Sequence, residues 1–208
     1  MRALIEQSRE SQAYAVSRVF SDKPAAAGLA IARDLGIPAQ AIAPDKGADR
    51  AAYDRELASA IDACSPALIV LAGFMRILSA EFVAKFAGRI MNIHPSLLPK
   101  FPGLHTHRRV LEAGDPEHGA TVHFVTEQLD GGPPIIQGRV AVQPQDDESS
   151  LALRVQALEH RIYPLAVSWF CEGRLSYRDD CAWLDGEALR DPVQYPDIGR
   201  QEGAACKL

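Results

Sequence analysis

Asn92, His94 and Asp130 are the residues of this chain whose types and spacing could do chemistry. They stand in the runs Asn92-Ile93-His94-Pro95-Ser96-Leu97-Leu98-Pro99 and Asp130-Gly131-Gly132. Side chains two apart on an extended backbone project to the same side. An amide and an imidazole in that arrangement can converge on one substrate atom. A carboxylate brought beside the ring favours imidazolium, which can protonate a developing oxyanion while the amide donates to the same oxygen. This is acyl-transfer chemistry in which the attacking group is an amine of a second substrate, not a Ser or Cys side chain. Pro95 and Pro99 restrict the backbone after His94 and hold the ring still. As isolated fragments the signals are weak. Asn-x-His at a strand end is more often structural than catalytic, and Asp-Gly-Gly is more often only a turn.

The elements that must position these groups alternate between strand and helix. The pattern predicts a helix over 1–12, a strand over 13–20, and a helix entered through Ser21-Asp22-Lys23-Pro24 that runs over 26–35. A short strand is expected near 41–43, an amphipathic helix over 49–63, and a continuous apolar strand over 68–72. A helix begins at Ser79, and a strand over 89–93 delivers Asn92 and His94. Three prolines and Gly103 make 94–104 an ordered loop. A helix over 106–113, strands over 121–126 and 134–142 on either side of Asp130, a long helix over 149–172 and a hairpin around Asp179-Asp180 complete the chain. Residues 191–208 are expected to be a loose tail. The alternation predicts an α/β fold with a mainly parallel central sheet flanked by helices. In such open sheets ligands bind beyond the carboxyl ends of the strands.

The composition limits the partners. The 208 residues suit one domain, and 47% hydrophobic with 24% charged residues is ordinary for a globular protein. A net charge of −5 disfavours nucleic acid or an acidic membrane as partner. No apolar run is long enough to cross a bilayer, and the N-terminus lacks signal-peptide architecture. The four cysteines, Cys64, Cys171, Cys181 and Cys206, form no Cys-x-x-Cys and read as packing residues of a reduced, cytoplasmic protein. His105 and His107, with His94, have permissible metal spacing, but no Cys or carboxylate completes a ligand set, so no metal is expected. His123 is either a lining residue of the same cleft or a hydrogen-bonded core histidine.

The longer motifs carry a resemblance. Leu71-Ala72-Gly73-Phe74-Met75-Arg76-Ile77-Leu78, the Asn92–Pro99 run, Pro102-Gly103-Leu104-His105, His123-Phe124-Val125 and Asp130-Gly131-Gly132-Pro133 together resemble the phosphoribosylglycinamide formyltransferases. His-Pro-Ser-Leu-Leu-Pro alone marks only the wider folate-dependent formyltransferase superfamily. Gly103–His107 and the region of Gln156 and Glu159 point to the purine branch. The likeness spans residues 1–187, read as the formyltransferase domain, with 188–208 as a C-terminal tail. It implies a Rossmann-like fold and transfer of the formyl group of 10-formyltetrahydrofolate, a co-substrate, to the amine of glycinamide ribonucleotide in de novo purine (IMP) biosynthesis. By motif match, His94 is the proton donor to the formyl oxygen, Asn92 binds that oxygen, and Asp130 keeps the ring protonated. The same match assigns Arg50, Met75, Arg76, Ile77, Leu78 and Asn92 to the folate, and Pro95, Gln156 and Glu159 to the ribonucleotide. Both partners are small molecules, and the resemblance implies a monomer or homodimer.

Each of these residues also has a plain reading. Arg50 and Arg76 are otherwise solvated charges, Gln156 and Glu159 an exposed pair three apart on a helix, and Met75 and Leu78 core. The family pattern also begins with an apolar strand and a Gly-x-Gly-Ser-Asn loop that cradles a phosphate at a helix N-terminus. Met1 stands just after the position of that Asn, so roughly a dozen residues of the pattern, including its first strand, are missing. Removing an interior strand leaves unpaired edges on both neighbours. That argues for Met1 as an internal methionine of a longer chain, over a short form without phosphate binding. The sequence as written is expected to bind the ribonucleotide weakly and to be poorly stable. The enzymatic rivals are formyltetrahydrofolate deformylase, with water as acceptor, and methionyl-tRNA formyltransferase. The first carries an N-terminal regulatory domain and the second a C-terminal tRNA-binding domain, neither of which appears here. The non-enzymatic rival is a folate-binding remnant without turnover.

Overall fold

A computed structural model describes residues 1–44 and 49–196. Its elements are α1 (Arg2–Ser11), β1 (Val19–Ser21), α2 (Ala27–Asp34), β2 (Ala39–Ala41), α3 (Arg50–Asp62), β3 (Ile69–Leu71), α4 (Ala80–Lys85) and β4 (Ile90–His94). They continue with α5 (Thr106–Ala113), β5 (Glu117–Phe124), β6 (Pro134–Ala141), α6 (Glu148–Cys171), β7 (Leu175–Arg178), β8 (Cys181–Leu184), β9 (Glu187–Ala188) and β10 (Val193–Gln194).

The central sheet has the order β10-β6-β5-β4-β3. Its β3·β4 and β6·β10 pairs are parallel, as is the separate β1·β2 pair, while β5 runs antiparallel to both β4 and β6. The expected α/β, Rossmann-like layering is present. β5 and β6 are joined by a short loop, which is what permits antiparallel pairing there. The β1·β2 pair is not hydrogen-bonded to the central sheet. An open cleft of about 570 Å³ lies between β1 and β3, lined by Leu4, Ile5, Phe20, Val70, Leu71 and Phe74 among others.

Helix starts follow local chemistry. Asp49 caps α3 by accepting from Ala51 N–H, Ser79 caps α4 by accepting from Phe82 N–H, and Asp147 with Ser150 forms a reciprocal capping box on α6. α6 ends where Gly173 takes φ +75°. Among the described residues no helix is long and apolar enough to cross a membrane.

Several expectations need correction. The strand over 13–20 shrinks to Val19–Ser21, because β2 offers only three partners. The strand near 41–43 lies at Ala39–Ala41, and β5 begins at Glu117, four residues before the expected start, since β6 pairs along its whole length. The expected loose tail contributes β10, which pairs with β6 through Val193 and Gln194. Residues 197–208, with Cys206, lie outside the described residues.

Two cores sandwich the sheet. Met91, Ala120, Val122, Phe124 and Ile136 pack against Val155, Leu158, Ile162 and Ala166 of α6. Ile90 points the other way, into a second core with Tyr53, Leu57, Ile61, Phe82 and Phe86. Tyr163 links the two sides of this arrangement. Its buried hydroxyl lies 2.9 Å from both Leu71 O and Met91 O, tying α6 to the backbone of β3 and β4. Tyr163→Phe leaves those carbonyls short of a donor and is expected to lower stability by about 1–2 kcal/mol. An unchanged urea midpoint would show that the hydroxyl contributes nothing net.

Candidate active site

Alternation along the strands builds the site. With Met91, Ala120, Val122 and Phe124 facing α6, the intervening Asn92, His94, Thr121 and His123 share the opposite face. The β4·β5 register places Asn92 directly across from His123 and His94 across from Thr121. Buried polar groups on such a face require partners, and the loop after His94 supplies them. Thr121 Oγ1 donates to Ser96 O (2.6 Å) and accepts from Leu98 N–H (3.1 Å) and Gln137 Nε2 (3.0 Å). Gln137 Nε2 also donates to Leu98 O (2.7 Å), and Ser96 Oγ to Lys100 O (2.6 Å). The prolines are therefore only part of what orders this loop; β5 and β6 grip it from below.

His94 is 6% exposed at the end of β4. Its Nδ1 lies 3.5 Å from Asp130 Oδ2, and its Nε2 lies 3.0 Å from Phe101 O. Both neighbours are acceptors, so a ring protonated on both nitrogens satisfies both. Asp130 reaches this face from the β5–β6 loop with φ +50°, and its Oδ2 also accepts from Gly103 N–H at 2.8 Å. The return of that loop depends on Gly132. A Cβ there would stand 1.9 Å from Phe124 O, a backbone atom. Asn92 Nδ2 lies 3.3 Å from His123 Nε2, and His123 Nε2 lies 3.9 Å from Asp130 Oδ1. Burial, opposed by the Phe124 carbonyl and Asp130, pushes the His123 ring below the ordinary histidine range.

The other expected residues scatter around this centre. Met75 is 78% exposed and Ile77 54%, so Met75 is not core; Leu78 packs on the second core. Arg76 is half-buried with its guanidinium 4.6 Å from the Tyr53 ring centroid, and its Nε has no hydrogen-bond partner among the described residues. Arg50 is exposed at the start of α3, with no side-chain contact to Asn92, His94 or Asp130 among the hydrogen bonds and ion pairs described. Pro95 is half-buried beside His94. Gln156 is exposed on α6, and Glu159 is half-buried. His107 is drawn into a pair with His118, Nδ1 to Nε2 at 2.9 Å. Thr121 and Gln137 were not singled out from sequence, and Gly103 only as a loop and motif residue. The polar–apolar alternation over 120–124 was the available signal for Thr121 and His123.

Burial pushes the Glu159 carboxyl up to about 7 from an ordinary 4.5, with the Met1 ammonium opposing. The folded state therefore holds a proton that the unfolded chain releases between those values. Its stabilising contribution is complete below about 4.5 and lost as the pH rises through about 7. Glu159→Gln, neutral throughout, is expected to gain on the native chain in urea unfolding across that window; parallel pH profiles would refute this. Gly132→Ala is expected to cost about 1–3 kcal/mol, read in the same assay, and a native-like midpoint would free the loop from this constraint.

Residues 1–167 match the family model described as formyl transferase. Phosphoribosylglycinamide formyltransferase of Escherichia coli K12 is 52% identical over 190 residues, covering 91% of this chain and 90% of that protein. The solved structure of phosphoribosylglycinamide formyltransferase from Coxiella burnetii superposes with a TM-score of 0.89 at 44% identity, covering 94% of this chain and 92% of that one. A formyltetrahydrofolate deformylase from Pseudomonas syringae shares the fold, with a TM-score of 0.77 at 24% identity over 88% of this chain and 61% of that one. A carboxylate and a carbonyl on either side of one imidazole, with an amide beside them, thus sit in a chain whose matches extend over nine-tenths of its length, and the chain belongs to the formyl transferase family.

Proposed function

We propose that this chain transfers the formyl group of 10-formyltetrahydrofolate to the amine of glycinamide ribonucleotide. The observation that carries the chemistry is the convergence of Asn92, His94 and Asp130 on one buried polar face, with His94 Nδ1 3.5 Å from Asp130 Oδ2. The relatives named for this reaction support the choice of substrates over the deformylase reading.

In this reading the ribonucleotide amine attacks the formyl carbon and the carbonyl oxygen gains negative charge. His94 delivers the Nε2 proton to that oxygen, which takes the place of the Phe101 carbonyl as acceptor. Asn92 donates to the same oxygen from Nδ2. Asp130 holds the other side of the ring from Nδ1, 3.5 Å away. Collapse then re-forms the carbonyl, its hydroxyl proton returning to His94 Nε2, and breaks the bond from the formyl carbon to the folate nitrogen, which gains a proton as the attacking amine gives one up. Exposed Met75 and Ile77 offer apolar surface to the aromatic folate, and the unpaired Nε of Arg76 suits a carboxylate of its tail. Arg50 is a second cation for that tail. Pro95, Gln156 and Glu159 form the ribonucleotide side, where a half-buried carboxyl can take a hydrogen bond from an amine or hydroxyl.

The test is folate product formation followed by absorbance with three acceptors: glycinamide ribonucleotide, water alone and charged tRNA. Turnover is expected only with the first. Equal rates with water alone would make the chain a deformylase, and binding of formyl-folate without product would make it a folate-binding protein. His94→Ala is expected to abolish turnover, a loss of at least about 100-fold, while folate affinity stays within about threefold of wild type. Retained rate would remove His94 from the mechanism.

A further inference from the structure

The cross-strand neighbour of Asn92 has a defined chemical state. His123 Nδ1 lies 2.8 Å from Phe124 O, and a carbonyl can only accept, so Nδ1 carries the hydrogen. His123 is 2% exposed, and its burial favours the neutral ring. A neutral ring protonated at Nδ1 presents a bare lone pair at Nε2. That lone pair faces Asn92 Nδ2 at 3.3 Å, and an amide nitrogen can only donate. The polarity of the whole chain of contacts is thereby fixed: Asn92 Nδ2–H to His123 Nε2, then His123 Nδ1–H to Phe124 O.

We infer that His123 is a positioning residue, one that sets which end of the Asn92 amide meets the substrate oxygen. The inference rests on the formyl-transfer reading and deepens it. An Asn side chain can turn its amide over by a half-rotation and exchange oxygen for nitrogen. Turned over, Asn92 would press its Oδ1 against the His123 lone pair and would offer the developing oxyanion an acceptor instead of a donor. The Nε2 lone pair prevents this by engaging one of the two Nδ2 hydrogens. The second hydrogen remains for the substrate. Asp130 Oδ1, 3.9 Å from His123 Nε2, is too distant for a hydrogen bond and does not displace Asn92 as the partner of that atom. His123 thus touches neither proton donor nor reacting atom in this scheme and acts through Asn92 alone.

Three variants test this by steady-state and single-turnover formyl transfer. His123→Phe keeps a ring but loses the acceptor. It is expected to lower kcat about 10- to 100-fold, less than loss of an oxyanion donor outright, with both KM values within about threefold. His123→Gln, whose Oε1 can accept in place of Nε2, is expected to recover most of that loss. In an Asn92→Ala background, His123→Phe is expected to add less than about twofold. Equal losses in the Phe and Gln variants, or the full Phe effect in the Asn92→Ala background, would overturn the proposal. A readout on the unmodified chain covers the case of a variant that fails to fold. Long-range ¹⁵N–¹H correlation should report His123 as the Nδ1–H tautomer near neutral pH, and the Nε2–H tautomer or a doubly protonated ring there would overturn the proposal. Wild-type chain without any formyl transfer would instead overturn the functional reading, leaving the tautomer to decide the Asn92 contact.

Discussion

The carboxylate of Asp130 and the imidazole of His94 depend on each other, and much of the surrounding structure serves to keep them 3.5 Å apart. Both are almost wholly buried, so neither can rely on water. Gly103 N–H holds the carboxylate from one side and the Phe101 carbonyl holds the ring from the other. The two residues that clamp the pair thus come from one short loop. That loop is fastened in turn by Thr121 and Gln137 on the polar face of the sheet. A buried pair with one partner missing is costly, which explains why so many fixed hydrogen bonds converge on so few atoms.

The sheet makes this arrangement possible by giving its two faces different jobs. One face of β4 and β5 is apolar and covered by α6; the other carries an amide, two imidazoles and a hydroxyl in alternation. A slip of one residue in the β4·β5 register would exchange the two faces. Packing of Met91, Val122 and Phe124 therefore does more than stabilise the fold, because it also dictates which side chains reach the site. Tyr163 reinforces the same registration from the helix side through the backbone of β3 and β4.

Much of this was legible in the residues. The helix starts at Asp49 and Ser79, the ordered loop after His94 and the α/β class all follow from local rules, and these elements form where expected. The pairing of Asn92 with His94 on one face needed only the two-residue period of a strand. What the sequence could not carry was partnership across strands. The Asn92–His123 contact depends on the β4·β5 register, and the Gln137 bonds depend on β6 lying beside β5. Backbone donors such as Gly103 N–H have no side-chain signature at all. The strand over 13–20 failed for a related reason, since alternation signals a strand only where a neighbour is long enough to pair with it. β10 was overlooked because two residues are too few to show a period.

That final strand has a consequence for how the chain is made. β6 ends at Ala141, and the residues that pair with its outer side are Val193 and Gln194, some fifty positions later. At translation speeds of about 5–20 residues per second, the ribosome needs several seconds to deliver them. During that interval α6 and the β7–β8 hairpin are synthesised while one flank of β6 waits without a partner, so the nascent polypeptide completes this edge of its sheet only after both have been made.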